Sequence, residues 1–204
     1  MRRNDVVRSL AHVGWALREP EEFAARWDRG EATYAAGVWM ALIAAAIAGT
    51  TCYGMTMGIG QGMVVIGKRG LLLTTAAGLA WAVPLPALYI LNSIAGSKLR
   101  PGSTLLAALV TTSWGGLALL ASLPINWLVT AAVPDLPGMT PTWAALAMFG
   151  FNILVFTGVG ISMVDVFGRV VERLEPARGR QPMWFLVLVG VIGAQLFYLF
   201  GLFP

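Results

Sequence analysis

The chain has 204 residues, of which 57% are hydrophobic and 12% charged, whereas soluble domains average roughly 25% charged. That balance excludes a soluble globular protein and leaves no length for a sizeable soluble domain beside a membrane part. The net charge of +4 would point to nucleic acid in a soluble chain. Here most basic residues flank apolar blocks, where they act as topology anchors facing anionic lipid, and no nucleic-acid partner is expected.

Residues 1–34 form a polar, partly amphipathic start. Val6, Val7, Leu10, Val13 and Leu17 recur at helical spacing, joined by Trp15, Phe23 and Trp27 and interleaved with Arg8, Arg18, Arg26 and Arg29. Pro20 lacks an N–H and disfavours helix at Glu19, so two short helices are predicted. This composition fits a segment lying in the cytoplasmic membrane interface, with aromatics inward and Arg18, Arg26 and Arg29 toward headgroups. No cleavable signal peptide is read, because Arg2, Arg3, Asp5 and Arg8 are followed by a mixed stretch and not an apolar core.

Residues 35–204 are read as one transmembrane domain of five helices, with spans at about 35–66, 71–95, 104–132, 142–168 and 183–203. The predicted fold is therefore an all-α polytopic bundle preceded by an interfacial helical segment. Six Lys or Arg residues precede span one, Lys98 and Arg100 follow span two, and Arg169, Arg173, Arg178 and Arg180 follow span four. The other side holds only Lys68 and Arg69. Twelve against two predicts a cytoplasmic amino terminus and an outward-facing carboxyl terminus. The alanine-, glycine- and arginine-rich usage fits a bacterium with a GC-rich genome, hence a bacterial cytoplasmic membrane.

Within the spans, Ala46, Thr50, Gly54, Gly58 and Gly62 are spaced by four and share one helix face. Small residues there let a second helix approach closely. Internal packing, contact with another subunit and lining of a permeation path are the three uses open to such a stripe. Pro84 and Pro86 remove two backbone donors and bend span two; with Asn92 and Asn152 they would line a path or form a hinge if the chain were a transporter. Pro124, Asn126 and Trp127 read as the outer end of span three. Asp165 is the one acid near a span, and Arg169 at i+4 makes an interfacial ion pair the simpler reading than a proton relay. Asp165, Arg169 and Arg173 are accordingly taken as anchors at the inner surface. Asn92, Asn126, Asn152 and Gln195 fall one per span, as residues bonding between helices would.

His12 and Cys52 are the single histidine and the single cysteine, so no disulfide framework and no histidine or cysteine metal cluster is expected within one chain. Gly58, Gly60 and Gly62 follow no strand and lack a following Lys-Ser/Thr, so they are not a phosphate loop. No base stands near a serine or threonine in sequence. No catalytic residue, metal or cofactor is predicted.

Glu19-Pro-Glu-Glu-Phe23 ahead of span one, and Ala95-Gly-Ser-Lys-Leu-Arg-Pro-Gly-Ser-Thr104 leading into Leu105–Trp114, carry a resemblance to bacterial members of the Yip1 family. Ser122-Leu-Pro124 is similar to the family's usual end of its third span. The resemblance covers most of the chain by topology, through short motifs. It implies five spans, a cytoplasmic amino terminus and a non-catalytic organiser or accessory subunit. The acidic Tyr-Gly-Pro-type segment of eukaryotic members is missing, so their link to Rab GTPases is not implied. The function expected is binding of partner proteins, other subunits or a second copy, through helix–helix contacts among membrane lipids. The alternative is a small permease, or the membrane half of a transport system energised by a separate partner. A lipid-handling enzyme is a third reading, opposed by the lack of a base–nucleophile set.

Overall fold

The computed structural model describes residues 3–94, 96–136, 138–178 and 184–202. Arg2, Ala95, Arg180, Met183 and Phe203, which enter the reading above, lie outside the described residues. The order of helices is α1 Arg3–Arg18, α2 Pro20–Asp28, α3 Ala36–Thr56, α4 Met63–Ala82, α5 Pro84–Ile94, α6 Pro101–Ala132, α7 Pro141–Leu174 and α8 Trp184–Leu199. No strand occurs among the described residues. Pro20, Pro101 and Pro141 each open a helix, where the missing N–H is not needed and the fixed φ suits the first turn. Thr140 caps α7 by accepting the Trp143 N–H at 3.3 Å.

Four stretches are long and apolar enough to cross a bilayer: Ala36–Thr56, Met63–Ile94, Pro101–Ala132 and Pro141–Leu174. The chain is thus a helical membrane protein. Helix α8 is apolar but has 16 residues, a rise of about 24 Å against a hydrocarbon core of about 30 Å. The second stretch is broken at Val83, between α4 and α5. Pro84 opens α5 with its ring buried, while Pro86 is exposed.

Span one is shorter than the expected 35–66. Helix α3 stops at Thr56, and the chain turns through residues 57–62 before α4 begins. Gly60 and Gly62 carry φ of +83° and +94°, a region that costs side-chain-bearing residues strain but not glycine. Gly62 is therefore the cap of α4 and not part of the α3 stripe. Lys68 and Arg69 lie within α4, not in a loop. Span three ends at Ala132, as expected, but the residues read as its outer end lie within the helix. Pro124 is inside α6, Asn126 is fully buried, and the helix continues to Ala132.

Helix α3 is the hub, packing on α1, α4 and α6. A Cβ placed on Gly49 would lie 1.8 Å from the Gly116 carbonyl oxygen, and one on Gly116 would lie 2.7 Å from Ala46 Cα. At the α3–α4 crossing, a Cβ on Gly54 would meet the Arg69 carbonyl oxygen at 2.7 Å, and one on Gly70 would meet the Thr51 carbonyl oxygen at 3.0 Å. These backbones touch because a glycine stands at each point of contact.

The two ends of the bundle are tied differently. At one end α1 and α2 form a cap over the start of α6 and the end of α7. Phe23, Ala16, Ala24 and Ala25 are buried there with Val38, Leu106 and Val170. The aromatics, expected to point inward from the interface, are packed against the protein's own helices. At the opposite end Arg69 Nη1 donates to the carbonyls of Gly201 and Leu202, at 2.9 and 3.0 Å. This fastens the end of α8 to α4.

Gly54→Leu should break this fold, because the side chain has backbone in its way. Gly49→Ala should destabilise the protein by about 3 kcal/mol, the upper part of the usual overpacking range. Gly78→Ala, with nothing within 4 Å of the new Cβ, should leave the thermal midpoint in detergent unchanged. An unaltered midpoint in Gly49→Ala would refute the backbone contact.

Candidate functional site

Polar side chains at membrane depth bond to one another or to the backbone, as a medium without water demands. The Thr50 and Thr51 hydroxyls meet the Thr74 hydroxyl at 3.2 and 2.8 Å. The Tyr53 hydroxyl donates to Asn152 Oδ1 at 2.9 Å, and Asn152 Nδ2 donates to the Met148 carbonyl at 2.7 Å. Asn126 Nδ2 donates to Thr56 Oγ1 at 2.5 Å, while its buried Oδ1 has no partner. Asn126 and Asn152 therefore join α6 and α7 to α3, as residues bonding between helices were expected to do. Asn92 is buried near the end of α5, and Gln195 is exposed on α8.

Beside this bonded core lies a cavity of about 1370 Å³, larger than the roughly 300–1,000 Å³ of ordinary ligand pockets. Its floor is α3 and α6, with α4 and α8 on one side and α7 on the other. Along α6 the lining runs from Leu105 to Leu119, about 21 Å at 1.5 Å per residue. Nearly all of that lining is apolar; the polar groups are Thr50, Thr74, Thr112, Thr157 and Asp165. Gly78, Gly160 and Gly190 also line it, and a Cβ on any of them would meet nothing within 4 Å.

Aromatic contacts stand at both ends. Phe156 and Phe197 meet at 5.2 Å between ring centroids, tying α7 to α8 near the end held by Arg69. Trp81 and Phe167 meet at 5.7 Å toward the cap. Between those contacts α8 packs on α4 and α5. Ile161 of α7 and Val187 of α8 line the cavity while remaining 66% and 61% exposed. The cavity is therefore open sideways, between α7 and α8.

Its rim toward the cap is charged. Ile161, Asp165, Arg169 and Glu172 follow one another along one face of α7. Arg169 Nε meets Asp165 at 3.0 Å, the expected i,i+4 pair, and its Nη1 meets Glu21 of α2 at 2.6 Å. Glu21, Arg169, Glu172, Arg173 and Pro176 surround a second, shallow hollow of about 370 Å³. The other anchors bind the cap together. Arg173 reaches Glu22 at 3.0 Å, Arg29 reaches Glu22 at 2.9 Å and Glu31 at 2.6 Å, and Arg26 stands over the Trp15 ring. Arg18 is exposed at the end of α1. Asp28 receives the Ser103 hydroxyl at 2.5 Å and the Arg100 guanidinium. Tyr34 stacks on Phe23 at 4.1 Å and donates to the Phe23 carbonyl at 2.8 Å; burial pushes its hydroxyl up to about 12.

The predicted residues thus separate. Ala46, Thr50, Gly54 and Gly58 are used in packing within the chain: against Gly116, Thr74, Gly70 and Ile66 respectively. Pro84, Pro86, Asn92 and Asn152 do not converge, and none of the four lines the cavity. The open glycines of α4, α7 and α8 had no stripe to mark them. Nor did counting basic residues show that Glu21, Glu22 and Glu31 would be paired with them. Among the described residues no group of three or more metal-ligating side chains comes together. No family model, curated protein or solved structure matches the chain.

The arginines hold the Glu22 and Glu31 carboxyls below their ordinary value of 4.5, chiefly through hydrogen bonds from Arg173 and Arg29 to Glu22 and from Arg29 to Glu31. A depressed acid stabilises the folded form above its unfolded pKa and loses that contribution as pH falls through the folded one. The cap should therefore hold at neutral pH and loosen below about pH 4.5. Protease cleavage within residues 19–34 should accelerate there, and earlier in Arg173→Gln. A cleavage rate flat from pH 7 to pH 3 would contradict the ion-pair account.

Proposed function

We propose that this chain is a non-catalytic integral membrane subunit with five crossings, and that it works by binding. α8 makes the fifth crossing in this reading, with its ends drawn in by Arg69 on one side. The twelve-to-two distribution of basic residues supports a cytoplasmic cap, and the composition supports a bacterial cytoplasmic membrane. The residues at 19–23 and 95–104 support placing it beside the Yip1 family as an organiser or accessory subunit.

The observation that carries the binding role is the cavity, apolar along its length, with aromatic contacts toward both ends and open toward lipid at Ile161 and Val187. A transmembrane helix would have to leave by both ends, and a water-soluble substrate would meet almost no polar lining. An apolar guest arriving sideways from the bilayer satisfies both constraints. Protein partners, other subunits or a second copy, would sit outside the cavity, where Gly150 and Gly158 of α7 have open space beside them.

A photoactivatable fatty acid dissolved in liposomes containing the protein tests the cavity. Label should reach Leu109 and Thr112 on α6, which line the cavity floor. Gly160→Phe, which fills open space, should lower that labelling several-fold without lowering thermal stability. Label confined to the outer faces of the helices would refute a lipid-accessible cavity.

A further inference from the structure

We propose that the guest is a phospholipid whose headgroup carries a primary ammonium beside its phosphate, read by the charged ladder of α7 at the cavity mouth. This rests on the reading that the cavity takes an apolar guest from the bilayer. Moving an acyl chain from lipid into an apolar cavity gains little, since lipid tails are as apolar as leucine. Selection among lipids must therefore come from the headgroup, and charged groups are available where a headgroup would lie. Asp165 lines the cavity itself, while Arg169, Glu172 and Arg173 surround the adjoining hollow. From Asp165 to Glu172 the helix rises about 10 Å, a span comparable to the headgroup layer of about 5–8 Å on each side of the hydrocarbon.

The signs at the rim decide the class. Arg169 meets Glu21 through Nη1 and Asp165 through Nε, and a guanidinium carries five N–H donors in all. Arg173 uses one Nη2 contact to Glu22. Both guanidiniums thus keep donors that match a phosphate. Glu172 is exposed in the same hollow and forms no ion pair among the described residues. Glu21, Glu22 and Asp165 are each paired with Arg169, Arg173 or Arg29, which leaves Glu172 as the carboxylate of this group without such a pair among the described residues. A head bearing phosphate alone would leave that carboxylate unanswered. A head with a primary ammonium answers it with N–H donors, which a quaternary ammonium lacks. Phosphate beside Arg169 and Arg173, with ammonium at Glu172, places the glycerol at Asp165 and Ile161 and sends the chains through the opening between α7 and α8.

The test is native mass spectrometry of the full chain, taken from liposomes with equal parts of ethanolamine, choline and glycerol phospholipids of identical chains. Wild type should retain one lipid, with the ethanolamine class enriched several-fold. Glu172→Gln and, separately, Arg173→Gln should each bring the enrichment close to one while fatty-acid labelling of α6 persists. Equal retention of the three classes, with α6 still labelled, would overturn the headgroup assignment and leave the cavity reading standing. Preference for the glycerol class would overturn it likewise. Absence of both retention and labelling, or a retained peptide in place of lipid, would overturn both readings.

Discussion

The contact of the α3 backbone with α6 and α4 is the constraint on which the remaining geometry depends. In a bilayer, apolar side chains gain nothing by leaving lipid for one another, so helices adhere through dispersion at short range. Gly49 against Gly116, and Gly54 against Gly70, bring main chains to distances that any side chain would forbid. The polar bonds follow from that placement. Thr50 and Thr51 meet Thr74 because the α3–α4 crossing lies one turn away, and Thr56 meets Asn126 because α3 and α6 remain close beyond theirs. Each such bond is worth about 0.6 kcal/mol in membrane proteins, so they fix the register of helices already brought together.

The cavity is the counterpart of that tight packing. Gly49, Gly54, Gly70 and Gly116 on α3, α4 and α6 face glycine or backbone, whereas Gly78 of α4, Gly160 of α7 and Gly190 of α8 face empty space. One residue type thus does two opposite things, and what stands across from it makes the difference. On the α7–α8 side the ring contact of Phe156 with Phe197 ties the two helices near the end held by Arg69, and the stretch toward Ile161 and Val187 is open.

The sequence carried the membrane class, the small-residue face from Ala46 to Gly58 and the Asp165–Arg169 pair, because each is a local pattern of spacing. The turn at 57–62 was hidden by composition: Met57, Ile59 and Met63 keep the stretch apolar, so hydropathy runs through it. The clue was Gly58, Gly60 and Gly62 at a spacing of two, which no helix face requires and a turn with positive φ does. The pairing of Gly49 with Gly116 joins residues far apart in the chain, and no local period encodes it. The docking of the cap on α6 and α7 was hidden for a related reason. Its aromatics and arginines fit a lipid interface equally well until Glu21, Glu22 and Asp28 find their partners on α6 and α7.

The bond from Arg69 to the last turn of α8 gives the molecule a chemical polarity. Arg69 donates to peptide carbonyls and not to a carboxylate, and its positive charge sits at the negative end of a helix dipole. The cap end adds to its buried apolar core a set of exposed carboxylate–guanidinium pairs, which dissolved salt screens. One end is therefore indifferent to its ionic surroundings and the other is responsive to them. A change of ionic strength would slacken the bundle from one side only, with α4 and α8 still fastened together at the far end like the hinge side of a door.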